Sequence, residues 1–259
     1  MKPRDSMKDP IAPSRSTFSI FVTLGVILAV ASAVTLLAAP IGYNLGMFSV
    51  RTAILRLPRW GAYIAFAAIV VSFAGLIVTA RRPKSARRGL SLAVIGVLLG
   101  AALTAIPVGA SRRLSMPPIH DITTDTQDPP QYEAIVPLRA DAPNTLAYGG
   151  EKVATLQRKA YPDIQPLTLT IPPAQAFERA LAAVRKTGWD LVAADANAGR
   201  IEATDTTFWY RFKDDVVVRI RPAGAGSRID VRSVSRIGVG DLGTNARRVR
   251  AYLKALKTG

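Results

Sequence analysis

The chain has no cysteine and one histidine, His120, in 259 residues. Without thiols there is no disulfide, no thiolate nucleophile and no cysteine-based metal site. A single imidazole also leaves no compelling Ser-His-Asp arrangement, because His120 lies in a Pro- and Asp-rich stretch. Acid is scarce early in the chain. Residues 1–113 hold 14 Lys and Arg against only Asp5 and Asp9, whereas residues 114–259 hold 20 basic against 16 acidic residues. The formal net charge of +16 therefore belongs mostly to the apolar N-terminal part. That distribution fits membrane topology and argues against a nucleic-acid partner.

Charge is missing altogether from three stretches, residues 18–39, 60–80 and 90–110. At ~1.5 Å rise per residue each reaches roughly 30 Å, the thickness of a bilayer's hydrocarbon core. The first is longer than a signal-peptide core of about 7–15 residues and reads as a retained span. Lys2, Arg4, Lys8 and Arg15 precede it, and Arg81, Arg82, Lys84, Arg87 and Arg88 fill the second loop. Against these nine stand Arg51, Arg56 and Arg59 in the first loop and Arg112 and Arg113 after the third span. The excess predicts a cytoplasmic tail (1–17) and second loop, with everything after the third span on the outer side, the periplasm in a bacterium. No ionisable residue interrupts a span, which argues against a transporter. Gly96 and Gly100, extended by Thr104, form a small-residue stripe suited to packing among the spans or, less simply, to a dimer. The first loop interleaves Phe48, Val50, Ile54, Leu55 and Leu57 with arginines, as either a surface-lying amphipathic helix or a packed loop does.

After this membrane part (18–113) the composition changes. Residues 114–150 are rich in Pro, Asp and Thr without a sustained period, and read as an extended connector laid over a globular part. His120 with Asp121, Asp125 and Asp128 invites a metal, but no pair has helical ligand spacing, so turn and cap roles fit better. Residues 151–259 predict an α+β domain. LTLTI starts a strand, Pro172–Pro173 open a helix with Phe177, Ala180, Leu181 and Val184 on one stripe, and Gly188 ends it. Residues 190–195, 200–207, the alternating FWYRFK, VVVRIR after an Asp214–Asp215 turn, and RIDVRSVSR read as five further strands. A final helix carries Ala246, Val249, Leu253 and Leu256. The result is an antiparallel β-meander with two flanking helices, one face on the helices and the other open to solvent.

The stretches IHDITTDT, LQRKAYPDIQPL, GRIEATDTTFWYRFKDDVVVRI and SRIDVRSVSRIGVGDLGTNARRVRAYL together resemble a family of bacterial proteins catalogued as domain of unknown function 1499. The resemblance covers most of residues 117–256, and similar members carry N-terminal spans. The family pattern includes a Pro-Asn-Cys near the domain start; Pro143-Asn144-Thr145 corresponds to it without the cysteine, which removes a thiol-based role. The resemblance brings no established activity and leaves function open.

One motif offers chemistry. GVGDLG, residues 238–243, is a literal G-x-G-x-x-G between a strand and a helix. A dinucleotide fingerprint needs a second parallel strand and an acidic residue about 20 positions on, and only one helix follows here. No cofactor is expected. The glycines bend the chain, and Asp241 or Thr244 caps the helix, whose N–H groups suit an anion. Glu202, Thr204 and Thr206, Arg219 and Arg221, and Asp230, Arg232 and Arg236 read as charged sheet faces forming cross-strand ion pairs. The sharper alternative is an anion pocket made by Arg232, Arg236, Asp241 and Asn245, with Trp209 and Tyr210 as wall and Asp205, Asp214 or Asp215 as acid or base. Three functions remain. The leading one is a non-enzymatic membrane protein whose outer domain binds an envelope component or another protein. The others are a lipid or small anionic ligand held between sheet and C-terminal helix, and an envelope hydrolase or transferase.

Overall fold

The three uncharged stretches form helices α1 (Arg15–Asn44), α2 (Leu57–Ala80) and α3 (Leu90–Ser111) in the computed structural model, which describes residues 15–81, 89–111 and 115–258. Lys2, Arg4 and Lys8, the loop residues Arg82, Lys84, Arg87 and Arg88, and Arg112 and Arg113 lie outside the described residues. Among those described, three helical stretches are long and apolar enough to cross a membrane: Ile20–Asn44, Thr52–Ala80 and Leu90–Gly109. The second begins earlier than its uncharged core. A π-helical turn, Thr52–Arg56, runs directly into α2 at Pro58, which has no N–H to give the helical ladder. Arg56 and Arg59 are thus helical, and the end of the first loop is part of the second span rather than a separate surface helix.

Small residues bring these helices together. A Cβ added at Gly25 of α1 or at Gly96 of α3 would lie 2.1 or 2.3 Å from Ser72 Oγ of α2. One turn beyond Gly96, Gly100 lies so near α2 that a Cβ there would stand 3.0 Å from the Ala65 carbonyl oxygen. The Gly96–Gly100 stripe is therefore spent on packing inside the three-helix unit. Large apolar side chains such as Ile27, Phe66, Phe73 and Leu98 point outward, as lipid-facing residues do.

The chain divides into two units between Ala110 and Ser111. In the second unit follow β1 (Asp121–Thr123), a 3-10 turn (Val136–Arg139), α4 (Gly150–Ala160), β2 (Leu167–Leu169), α5 (Pro173–Thr187), β3 (Asp190–Asp195), β4 (Arg200–Thr206), β5 (Lys213–Ala223), β6 (Gly226–Ser235) and α6 (Thr244–Thr258). The strands form one antiparallel sheet in the order β1-β6-β5-β4-β3, and β2 also pairs with β6. β6 is the hub: β5 runs along one side, while β1 takes the last part of the other side and β2 the first.

One face of this sheet is dry. Ile201, Ala203, Val216, Val218, Ile220, Ile229 and Val231 meet Phe177, Ala180, Leu181 and Val184 of α5 and Val249, Tyr252, Leu253 and Leu256 of α6. α5 starts at Pro173 and stops at Gly188, whose φ of +76° a side chain would resist.

Two elements differ from the periodic reading. FWYRFK is not a strand: Phe208–Phe212 form a hairpin loop and only Lys213 belongs to a strand, as the first residue of β5. The Thr207 N–H donates to the Phe212 carbonyl at 2.8 Å, the Phe212 N–H donates to Thr207 Oγ1 at 2.9 Å, and Arg211 takes a left-handed φ of +53°. Asp214 and Asp215, read as a turn, are buried residues of β5. The meander β3–β6 therefore has four strands. The stretch read as connector also supplies β1, and its Tyr132, Ile135 and Leu146 pack with Val192, Val217 and Val234 on the sheet's second face. That face is covered, not solvated.

Candidate functional site

Strand alternation sends Arg228, Asp230, Arg232 and Val234 of β6 to the covered face, away from α5 and α6. There they meet carboxylates from the neighbouring strands. Arg232 is fully buried. Its Nε and Nη2 donate to Asp121 Oδ1 and Oδ2 at 3.0 and 2.7 Å, and its remaining N–H groups reach the Pro130 and Leu146 carbonyls. The guanidinium lies over the rings of Tyr132 and Tyr148, 5.4 and 5.6 Å from their centroids. Burial pulls the Arg232 pKa down, but the hydrogen bonds and charge of Asp121 outweigh it and hold the group above its usual value. Burial drives the Tyr148 hydroxyl up to about 12 and that of Tyr132 well above the ordinary phenol range.

Asp215 accepts from Arg139 Nη1 at 2.5 Å, from Arg236 Nε and Nη2 at 2.9 Å each, and from Thr204 Oγ1 at 2.7 Å. Asp230 faces Arg219 directly across the β5–β6 ladder and also meets Arg221 and Arg228. Glu202, wholly buried, accepts the backbone N–H groups of Glu133, Ala134 and Ile135 at 2.9, 3.1 and 2.9 Å as the 3-10 turn begins, and is joined by Arg200 Nε. These are charge-assisted bonds that satisfy carboxylates out of water.

The opposite face has its own polar end. Arg248 of α6 donates to Asp205 Oδ2 at 2.8 Å through Nε, to Asp214 Oδ2 at 2.6 Å through Nη2, and to Asn245 Oδ1. Asn245 Nδ2 donates to the His120 carbonyl and to Ser235 Oγ, and its Oδ1 accepts from Ser233 Oγ.

The glycine-rich corner lies beyond β6. Asp241 Oδ1 accepts the Gly243 N–H at 2.8 Å and Oδ2 the Asn245 N–H at 2.6 Å, so the start of α6 already holds an anion, the protein's own carboxylate. Burial raises the Asp241 pKa, opposed by those two backbone bonds. At Gly240 a Cβ would stand 3.2 Å from Pro118 Cα, which explains the glycine there. A cleft of about 490 Å³ opens beside this corner; its lining includes His120, Asp121, Asn144, Lys152, Val153 and Leu156. His120 Nδ1 donates to the Val239 carbonyl at 3.2 Å, and Asn144 Nδ2 donates to the Ser235 and Gly238 carbonyls.

The six residues singled out from the sequence are thus not gathered into one pocket. Arg232 and Arg236 lie on the connector side, each gripping a carboxylate of this chain. Asn245 and Asp205 lie on the helix side around Arg248, Asp241 caps α6, and Trp209 stands at the β4–β5 hairpin tip, more than half exposed. Val249, Tyr252, Leu253 and Leu256 of α6 pack against the sheet. Asp125, one of the acidic neighbours of His120, makes a turn by accepting the Gln127 and Asp128 N–H groups. Among the described residues no three His, Asp or Glu side chains stand together as metal ligands. The periodic reading missed Arg248 and Arg139, the pairing of Asp121 with Arg232, and the backbone N–H groups that Glu202 accepts. Only Arg248 left a signal, three residues after Asn245 on one helical face.

A family model described as "Protein of unknown function (DUF1499)" matches residues 121–256, from the first residue of β1 into the last turn of α6. No curated protein and no solved structure matches.

Proposed function

This chain belongs to the DUF1499 family, and from that premise we propose that it is a membrane-anchored binding module whose domain lies outside the cytoplasmic membrane, in the periplasm of a bacterium, and engages an envelope component without catalysing a reaction. The observation that carries this reading is the state of the acids. Asp121, Asp205, Asp214, Asp215, Glu202 and Asp230 are each held by arginine or backbone N–H groups. A general acid or base needs a carboxyl that faces substrate with a shifted pKa. Burial raises the pKa of Asp241, but that carboxylate is occupied as a helix cap. The orientation rests on the nine-to-five excess of Lys and Arg on the inner side.

Alkaline phosphatase fused after Gly259 tests the placement: activity in intact cells is expected, and an inactive fusion that is nonetheless made overturns it. A second reading, a small anionic ligand, is favoured by one feature, the cleft bearing Lys152, His120 and Asn144. Native mass spectrometry of the full chain in mild detergent separates the two. The binding-module reading expects no small molecule bound in fixed stoichiometry; a reproducible one displaced by Lys152→Glu moves the function to the cleft.

A further inference from the structure

We infer that the β4–β5 hairpin tip is a membrane-contacting element that seats Phe208 and Trp209 in the headgroup region of the same bilayer that anchors the chain. This rests on the membrane spans and on the domain's own topology, and it holds whichever side of the membrane the domain occupies.

The tip presents aromatic surface at a cost. Phe208 is 81% and Trp209 59% exposed, although aromatic side chains gain most from leaving water. The two rings meet edge to face at 5.2 Å, and beneath them Tyr210 and Phe212 stack at 5.3 Å. Thr207 pins both ends of the loop, so the exposed pair stands on a fixed base rather than a loose end.

Strand register says which end of the domain this is. Asp121 of β1 pairs with Val234, Asp214 of β5 with Ser235, and Thr206 of β4 with Lys213. The chain arriving from α3 therefore enters the sheet at the end from which residues 207–212 project. With strands ~4.8 Å apart, the entry at β1 and the hairpin between β4 and β5 are separated by only about 12 Å across the sheet. Val239, 78% exposed, follows β6 at that end too. Nine residues lie between Ser111 and Asp121, a tether of at most ~30 Å when fully extended. The tethered end is the aromatic end.

Charge agrees. Residues 206–213, TTFWYRFK, contain no acid, and Arg211 and Lys213 are exposed. Of the acids at this end, Asp121, Asp205, Asp214, Asp215 and Asp241 are turned onto arginines or N–H groups, and Asp141, in the loop that docks on Arg236, is exposed. Trp and Phe flanked by Arg and Lys suit an anionic lipid interface, where the rings sit among headgroups and the cations meet phosphate. A bilayer supplied by the chain's own spans is always within reach, which a soluble partner is not.

The absence of cysteine makes the test clean. An environment-sensitive fluorophore is attached to Phe208→Cys or, at the opposite end of the sheet, to Asn197→Cys, in the full chain. Each is placed one copy per nanodisc, in equal parts of phosphatidylcholine and phosphatidylglycerol. The expected result is several-fold brighter, blue-shifted emission from position 208, quenched by lipid-borne nitroxide and shielded from aqueous iodide, with position 197 showing the reverse. Adding Arg211→Glu and Lys213→Glu is expected to return position 208 toward the emission of position 197. Equal iodide access at both positions, with circular dichroism unchanged, overturns the inference. So does shielding found only in native membranes and lost in nanodiscs, which assigns the tip to a protein partner instead.

Discussion

The two faces of the domain's sheet are built on opposite principles. The helix face is closed by side chains without charge over most of its area, and its stability comes from removing apolar surface from water, roughly 1.5–3 kcal/mol for each large side chain buried. The connector face is closed by ion pairs, and there the favourable terms are large only as compensation for desolvation. A buried charge that keeps its partner contributes little net stability, and one that loses its partner is a serious defect. The apolar face tolerates graded change; the ionic face is all or nothing at each pair.

Rescue is the sharpest way to expose that contrast. Arg232→Ala leaves Asp121 buried and uncompensated, and is expected to cost about 3–5 kcal/mol; Arg232→Met combined with Asp121→Leu should recover most of it. On the other face Leu256→Ala is expected to cost roughly 2–5 kcal/mol through the cavity it opens, and no truncation of a neighbour should restore it. Denaturant unfolding of the full chain in detergent, followed through near-ultraviolet circular dichroism, reads both. If the double substitution is as damaging as the single one, the ionic face is packed like a core and the contrast fails.

Glu202→Gln comes next. The shape is retained, but three backbone N–H groups then face a neutral amide with a single acceptor oxygen, and about 1–3 kcal/mol should be lost. Asp241→Ala removes the cap of α6 and should cost about 0.5–2 kcal/mol, with Asp241→Asn in between; amide exchange in the first turn of α6 localises the effect.

The smallest effect is on pH. Tyr132 and Tyr148 keep their protons in the fold above the pH at which an unfolded tyrosine releases its own, near ~10. Stability from them is therefore intact below pH ~10 and is lost progressively as the pH rises beyond it, because the unfolded state gives up protons that the folded state retains. Among the described residues the buried Tyr148 hydroxyl has no hydrogen-bond partner. Tyr148→Phe should thus be close to neutral at pH 7 and should flatten the alkaline loss in melting curves collected across that range.

What was legible in the sequence was what depends on near neighbours. Length and absence of charge gave the spans, a 3.6 period gave α5 and α6, and a period of two gave β4, β5 and β6. FWYRFK misled because Phe208, Tyr210 and Phe212 alternate as a strand would, while one hydroxyl, that of Thr207, closes them into a loop. Asp214 and Asp215 misled for the opposite reason. Acidic pairs belong to turns until a partner covers them, and their partners Arg248, Arg139 and Arg236 come from far along the chain. Parity separates the candidate residues. Arg232 and Arg236 were rightly placed on one face, but Asn245 docks on the other, and a sheet between them cannot be crossed by side chains.

The pairing of β1 with β6 also sets a clock. Asp121 and Arg232 are 111 residues apart, so the first strand beyond the membrane has to wait for the last before it gains either ladder or counter-charge. Loop closure of that length is slow, and edges left unpaired meanwhile invite association. The waiting segment is suited to the delay. Its Pro, Asp and Thr composition offers little for another chain to zip onto, so it remains harmless in water until β6 arrives and a late, single event buries the charges of β1, β4, β5 and β6 together.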